Sequence, residues 1–570
     1  MPTTKGEAVC GNSFRLDHSG EKTPRWAWFV LLFISLAVLV PGTRVMPLLD
    51  RDEPRFARAT VEMEQRGNYI VPYFNDEYRF DKPPLTYWWM HLNYAVFGHN
   101  ELGARMHSIL SAAAIALLLL AIGRDLYGWR TGFWAGIAWV TLFQVWQHGR
   151  LAVADMPMVL SLVAAHWALW KLLTGDKWRR WGFWFWVLWL SLALGFLAKG
   201  PLVFFSVAFT LALLRLVFWR KPLEWGRLQI LPGAAICILP IAAWGLPALA
   251  QTGGQFWHQG IGKHVVERGL GAFNDRVSLP VVFYIFSSLI SLFPWMGRAG
   301  AACVAARECR RDMRSAYLLS WAAGPYIIFA FYATQLPHYV LPAFPALVLL
   351  LFAAPGMDGK WARRWFVGYH ALFGAIIVGM AVWLMLGPVF LPIRPMMLGF
   401  CAVLMGLMFI AVSFERRSAI RMAMGIVMLI AGSMLSGIGM RRVAISPQIA
   451  LQAQEADGAL AAVGYTEPSL VYYAGRTWHM YPGTAEGLEE ALLRRPAMIA
   501  VLRKQMDMNT MLGFAHKTIK VCEEALLAEK RLNEGYIHGS VDGLNIGRFT
   551  WASVDLYIDI DQLAPELYPQ

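Results

Sequence analysis

Runs of apolar residues follow one another from Trp26 to Met440, separated by short polar connections and by one long charged one. The first run covers residues 26–42. The others cover 106–123, 131–147, 157–174, 182–198, 202–218, 229–249, 281–298, 316–333, 339–355, 365–387, 396–413 and 422–440. A helix rises 1.5 Å per residue, so about 20 residues cross a hydrocarbon core of about 30 Å. The pattern predicts an α-helical polytopic membrane protein with about 13 transmembrane helices.

Beyond residue 440 the pattern changes. PSLVYYAG, AMIAVLRK and ASVDLYIDI read as strands and AEGLEEALLRR as an amphipathic helix, which predicts a small α/β domain over residues 441–570. We expect it to act as a lid or a stabilising appendage. Residues 1–25 form a polar N-terminal segment, residues 26–440 the membrane part, and residues 43–105 the long charged loop within it.

Composition agrees with this division. Of 570 residues, 57% are hydrophobic and only 16% charged, a balance that fits membrane spans better than a set of soluble domains. The net charge of +13 raises the question of nucleic acid, and its placement answers it. The basic residues fall in alternate short connections, as at Lys177, Arg179 and Arg180, or Arg416, Arg417 and Arg421, whereas the intervening connections carry few. That is the signature of membrane orientation, with the N-terminus inside and, after an odd number of crossings, the C-terminal domain outside. A signal anchor is expected at residues 26–42, since no small-residue cleavage site follows it cleanly. The cysteines carry neither metal-type spacing nor a partner for Cys522 in the outer domain. No Gly-rich phosphate loop follows a strand, so no nucleotide is expected.

The long loop holds most of the candidate chemistry. Carboxylates and cations alternate in it, including Asp52, Glu53, Arg55, Asp81 and Lys82, and the aromatic run of PPLTYWWMHL suits a membrane interface. The other outer connections add Arg150 and Asp155, then Lys199, then His258, His264 and Arg268, then His338 and Tyr339. Ionisable groups at membrane level are expensive and normally have a partner or a task. Each also has a plainer reading. Lys199 reads as a snorkelling anchor, Asp155 as a helix cap, His264 as a surface histidine and Tyr339 as part of an aromatic belt. What weighs against the plain readings is that all of these residues fall on one side of the membrane.

DEPRFARATVEM, then FDKPPLTYWW about thirty residues later, then ADMP, AKGP and LPHYVLP resemble the bacterial multispanning glycosyltransferases of the aminoarabinose (lipid A) transferase group, relatives of protein O-mannosyltransferases. The resemblance covers roughly residues 26–440. It implies transfer of a sugar from a polyprenyl phosphate to lipid A, at the periplasmic face of a bacterial inner membrane, with the C-terminal domain periplasmic. It implies Asp52 as the catalytic carboxylate, Asp155 as a second functional aspartate, and Arg55, Lys82, Lys199 and Tyr339 around the donor phosphate, with Glu53, Arg268 and His338, polar residues of the same outer face, expected in the same substrate-binding set. It also implies a divalent metal, zinc or another, at Asp81 and His264. Two positions depart from the pattern: Asp81 stands where such proteins usually carry Glu, and Gln335 replaces a common Lys before LPHY.

The chemistry is consistent with those residue types. A polyprenyl-phosphate sugar already has a phosphate as leaving group, so it needs positive charge as the C–O bond breaks more than it needs a proton. Attack from the opposite side of the ring inverts the sugar, and Asp52 would serve a hydroxyl acceptor as general base. Two alternatives stand beside lipid A: a glycan or protein acceptor with the same donor, and, from another class, a lipid or sugar transporter. A transporter would place its ionisable groups near the midplane and show two related halves, neither of which the sequence offers.

Overall fold

The computed structural model describes residues 22–175, 178–256, 258–260, 282–308, 312–354, 359–514, 518–522, 532 and 536–562. Every apolar run is helical in it. Among the described residues six helices, against about 13 crossings expected, are by themselves long and apolar enough to cross a membrane: Glu101–Tyr127, Asp155–Thr174, Trp225–Gln251, Lys360–Leu386, Leu391–Glu415 and Ala419–Val443. The chain is a multi-pass membrane protein. Shorter apolar helices cover Arg25–Leu39, Phe183–Lys199, Leu202–Phe218 and Pro337–Ala353.

Three of the expected continuous spans are interrupted. Residues 131–147 divide into Trp129–Val140 and Phe143–His148, and Leu202–Leu213 ends in a wider turn at Leu214–Phe218. Val282–Ser291 and Trp295–Arg307 meet at 109°, with Pro294, which has no N–H to give a continuing helix, at the break. Helix Glu101–Tyr127 is the axis of the bundle, buried on nearly all sides. Glycines bring the last two membrane helices into contact: a Cβ on Gly399 would lie 2.4 Å from the Ser436 backbone nitrogen, and one on Gly406 2.6 Å from the Gly425 carbonyl.

The charged loop is folded. It holds helix Asp52–Arg66, a short ribbon of β1 (Tyr73–Phe74) and β2 (Glu77–Tyr78), and helix Leu85–Phe97, whose residues Phe56, Met63, Tyr87 and Met90 share one buried cluster. Gly67, in the left-handed conformation, ends the first of these helices.

Helix Ala419–Val443 runs just past the expected boundary at 440 and leads into the outer domain. Its strands are β3 (Leu460–Val463), β4 (Trp478–Tyr481), β5 (Met498–Met506), β6 (Thr518–Lys520), β7 (Tyr536–Asn545) and β8 (Thr550–Asp559). They form one sheet in the order β4-β3-β5-β8-β7, with β6 paired to the far end of β5. β3 is parallel to β4 and β5, while β8 runs antiparallel to β5 and β7. AMIAVLRK and ASVDLYIDI are strands and AEGLEEALLRR is helical, as expected, but PSLVYYAG is not a strand. It is the helix Pro468–Ala474, started by Pro468 in its first turn and closed by Gly475 in the left-handed conformation. Local punctuation overrides its β-rich composition, because Leu470 and Val471, with Ala474 one turn further on, meet the core at helical spacing.

The loop and the outer domain are docked on one another. The Asn75 side chain donates to the Trp478 carbonyl and accepts from the Trp478 N–H, both at 2.9 Å, so one amide completes the pairing of the edge strand β4.

Candidate active site

A cavity of about 870 Å³ opens between the loop and the membrane helices. Its walls are mostly aromatic and aliphatic, among them Phe196, Phe205, Phe209, Trp244, Phe256 and Phe331. Its polar lining comes from residues that the sequence singles out: Asp81, Lys82, Asp155, Lys199, His338 and Tyr339.

The fold explains how they meet. Asp155 is the first residue of helix Asp155–Thr174 and Lys199 the last of helix Phe183–Lys199. These neighbouring helices place both residues at the same end, where Lys199 Nζ lies 2.6 Å from Asp155 Oδ1. Gly200, with φ +90°, then turns the chain away. The ion pair gives both residues a partner in the protein: the buried Asp155 carboxylate holds the Lys199 ammonium. His338 and Tyr339 arrive on the turn Pro337–Ala343. Lys199 Nζ is 6.0 Å from the centre of the Tyr339 ring, and the His338 ring lies 4.5 Å from that of His148. His148 is in turn bonded to Gln144 at 2.7 Å.

The loop side is a relay of charge. Asp81 accepts from Arg79 Nη2 and from Lys82 Nζ, both at 2.9 Å. Arg79 also donates to the Tyr87 hydroxyl at 3.0 Å and lies over the Phe56 ring. Arg55 is half-buried beside this group. Burial, followed by the neighbouring Arg79, holds its guanidinium below the ordinary value, while Asp52 and Asp81 act the other way. Among the described residues, Arg55 forms no hydrogen bond or ion pair, and neither does the exposed carboxylate of Asp52 at the start of its helix. Together, Arg55, Arg79, Lys82 and Lys199 face Asp52, Asp81 and Asp155. Arg55 is thus the cation of this group without an ion pair among the described residues.

Glu53 is the correction. Sequence reasoning put it in the phosphate-binding set, but its side chain points into the protein and is 1% exposed. Its Oε1 accepts from Arg105 Nε at 2.8 Å and the Ala152 N–H at 2.6 Å, and its Oε2 from Arg105 Nη2 and the Leu49 N–H at 2.8 Å. Arg105 also donates to the carbonyls of Thr43, Met46 and Pro47. Glu53 is therefore a structural link between the loop entrance and the bundle, with no acceptor left for a ligand. The adjacent Asp52 and Glu53 face different sides, one exposed and one buried, because successive helical residues are about 100° apart.

His264 and Arg268 lie outside the described residues. Asp81 is contacted by two cationic side chains, and among the described residues no group of three or more His, Cys, Asp or Glu could hold a metal; the pairing of Asp81 with His264 falls outside the described residues. Sequence reasoning missed Arg79, Tyr87, Arg105 and His148. A charged side chain near the start of an apolar run, as Arg105 is, was the available signal.

Comparisons with known proteins agree with this architecture. The family described as dolichyl-phosphate-mannose-protein mannosyltransferase matches residues 81–245. The chain is 29% identical over 379 residues to the undecaprenyl phosphate-alpha-4-amino-4-deoxy-L-arabinose arabinosyl transferase of Erwinia tasmaniensis, covering 64% of this chain and 66% of that protein. It is 30% identical over 331 residues to the Yersinia pestis protein of the same name, covering 57% and 58%. The matched region thus spans just under two thirds, or less, of these relatives' length. In three dimensions the chain is similar to ArnT from Cupriavidus metallidurans bound to undecaprenyl phosphate, with a TM-score of 0.72, 18% identity, and coverage of 93% of this chain and 98% of that one. It is also similar to the oligosaccharyltransferase of Archaeoglobus fulgidus in the apo form, at 0.52 and 12% identity, covering 90% and 73%. The chain resembles the aminoarabinose transferase group in sequence and in fold.

Proposed function

We propose that this protein is an inverting glycosyltransferase of a bacterial inner membrane that moves a sugar, 4-amino-4-deoxy-L-arabinose in the first instance, from a polyprenyl phosphate to lipid A at the periplasmic face. The observation that carries the reading is the cavity: apolar walls that meet Lys82 and Lys199, with Arg55 beside the same loop cluster and without an ion pair among the described residues. Such a cavity suits an isoprenoid tail with an anionic head. The thirteen apolar runs, taken as thirteen crossings, put the loop and the outer domain on the same side as the cavity's charged end.

In this reading the tail lies along Phe205, Phe209 and Phe331, and the phosphate sits between Lys82, Lys199 and Tyr339 in the cavity wall, with Arg55 approaching from beside Asp81. The sugar's C1 is thereby held near the outer surface, where attack is in effect intramolecular. An acceptor oxygen forms a bond to C1 as the bond from C1 to the phosphate oxygen breaks. The electron pair leaves with the polyprenyl phosphate, whose growing negative charge is met by cations already in place. With a hydroxyl acceptor, Asp52 takes the proton. With a phosphate acceptor there is no proton to take, and Asp52 orients sugar or acceptor instead. Asp155 holds Lys199 in position through their ion pair.

The test is mass spectrometry of total lipid A from a host that makes the donor but lacks its own transferase. A pentosamine-sized increment, absent with Asp52→Asn, is expected. Unmodified lipid A alongside a modified glycan or protein would retain the donor chemistry and replace the acceptor.

A further inference from the structure

Two residues before Asp52, the loop is fastened to the outer domain. Asp50 Oδ1 accepts from the Ser469 N–H at 2.9 Å, and its Oδ2 from Ser469 Oγ at 2.6 Å. Arg51 Nε lies 3.5 Å from Glu467 Oε2. Glu467 is 1% exposed and is itself held by Arg548 at 2.8 Å and Asn545 at 3.2 Å. Leu48 donates from its backbone to the Tyr473 hydroxyl. The helix Pro468–Ala474 thus grips both residues that precede the candidate catalytic carboxylate. Space is tight there: a Cβ on Gly547 would lie 2.6 Å from Asp50 Cβ, closer than such atoms approach.

We infer that the outer domain takes part in transfer as a positioning element: Glu467 and Ser469 fix Asp50 and Arg51, and so aim Asp52 at the donor. The inference rests on Asp52 acting in the transfer. It replaces the expectation of a bare lid or appendage with a defined role for named residues.

The hydroxyls at this hook form a directed chain. Ser469 Oγ is 2.6 Å from Ser446 Oγ, which is 2.7 Å from the Tyr465 hydroxyl. Each hydroxyl has one proton. When Asp50 is ionised, Ser469 gives its proton to Asp50, Ser446 gives to Ser469, and Tyr465 gives to Ser446. When Asp50 is protonated, it donates to Ser469 and the chain reverses. The groups facing Asp50 are Glu467, Arg55 and Tyr465, with Arg51 and Arg548 gathered on Glu467. Burial, opposed by the Ser469 bond and reinforced by Glu467, pushes the Asp50 carboxyl up to about 7. A carboxyl whose value is raised by docking binds its proton when docked and releases it when free. The hook is therefore strongest in acid and weakens as pH rises through 7, reaching a constant level above that.

Asn at position 50 reproduces the protonated state, accepting from the Ser469 N–H and donating to Ser469 Oγ. The experiment uses the full chain in nanodiscs and compares wild type with Gly547→Ala, Ser469→Ala and Asp50→Asn. Hydrogen exchange is followed at residues 48–55 from pH 5.5 to 8.5, beside kcat and donor KM in transfer to lipid A. Gly547→Ala and Ser469→Ala are expected to speed exchange in that segment and to lower kcat tenfold or more, with donor KM within twofold and the melting point unchanged. Asp50→Asn is expected to flatten the pH dependence of exchange; an unchanged pH dependence would overturn the titration of the hook. Wild-type exchange and kcat in both Gly547→Ala and Ser469→Ala would overturn the inference. A wild-type protein without transfer activity would instead remove the transferase reading, and exchange at 48–55 would then decide the hook alone: no difference between wild type and Gly547→Ala overturns it.

Discussion

Replacing Glu53 by Gln separates the two neighbouring carboxylates of the loop. The substitution keeps size and shape and removes the charge. In the native site each oxygen of Glu53 accepts two hydrogen bonds, one from the fully buried guanidinium of Arg105 and one from a backbone N–H. The glutamine keeps one oxygen and turns an NH2 group towards the other pair of donors, Arg105 and either Leu49 or Ala152. One charge-assisted bond, worth about 1.5–3 kcal/mol, and one neutral bond of about 1 kcal/mol are lost. Arg105 is left as a buried cation without a counter-charge. Breaking a buried ion pair from one side costs about 3–5 kcal/mol, a large part of the stability of most domains. The Arg105 bonds to Thr43, Met46 and Pro47 remain, so the damage centres on the loop entrance. The assay is thermal unfolding in detergent followed by size-exclusion profile. Glu53→Gln is expected to melt well below wild type or to lose its monodisperse peak, whereas Asp52→Asn, whose side chain is exposed, keeps both. A Glu53→Gln protein that melts like wild type yet transfers no sugar would show that Glu53 meets substrate, and the structural assignment would fail.

Other expectations follow from the same geometry. Asp52→Asn abolishes transfer while donor binding persists, as measured by titration of the polyprenyl phosphate donor; an active variant would remove Asp52 from the reaction. Lys82→Ala deletes one charge-assisted contact to the phosphate, worth about 1.5–3 kcal/mol, and so weakens donor binding roughly 10- to 150-fold; unchanged affinity would place the phosphate elsewhere. Lys199→Met leaves the buried Asp155 without its 2.6 Å partner, and both lower donor affinity and lower melting temperature are expected, against no change if Lys199 merely anchors the helix. Because Arg79 and Lys82 already contact the oxygens of Asp81, transfer is expected to continue in EDTA; loss of activity restored by a divalent ion would instead support a metal at Asp81 and His264.

The helices were legible because their cause is local. A bilayer gives unpaired backbone groups no partner, so an apolar run of sufficient length must be a helix wherever it packs. Each run from residues 26–42 to 422–440 is accordingly helical. Charge placement exposed the polar ends on one face, and with them Asp81, Lys82, Asp155, Lys199, His338 and Tyr339, which the fold gathers round one cavity. What sequence periodicity left undecided was direction and pairing. Asp52 and Glu53 are chemically alike and adjacent, and only the packing of their helix against Arg105 turns one to solvent and the other inward. PSLVYYAG has the composition of a strand, but Pro468, Gly475 and a core met at helical spacing make it the helix that grips Asp50 and Leu48. The chain by itself determined that this is a bundle of apolar helices with its charge on one face, because each span must satisfy its own backbone. Only the tertiary structure decided which charges are free for a substrate and which are used to hold the loop, because that depends on partners some 50 to 400 residues away in sequence.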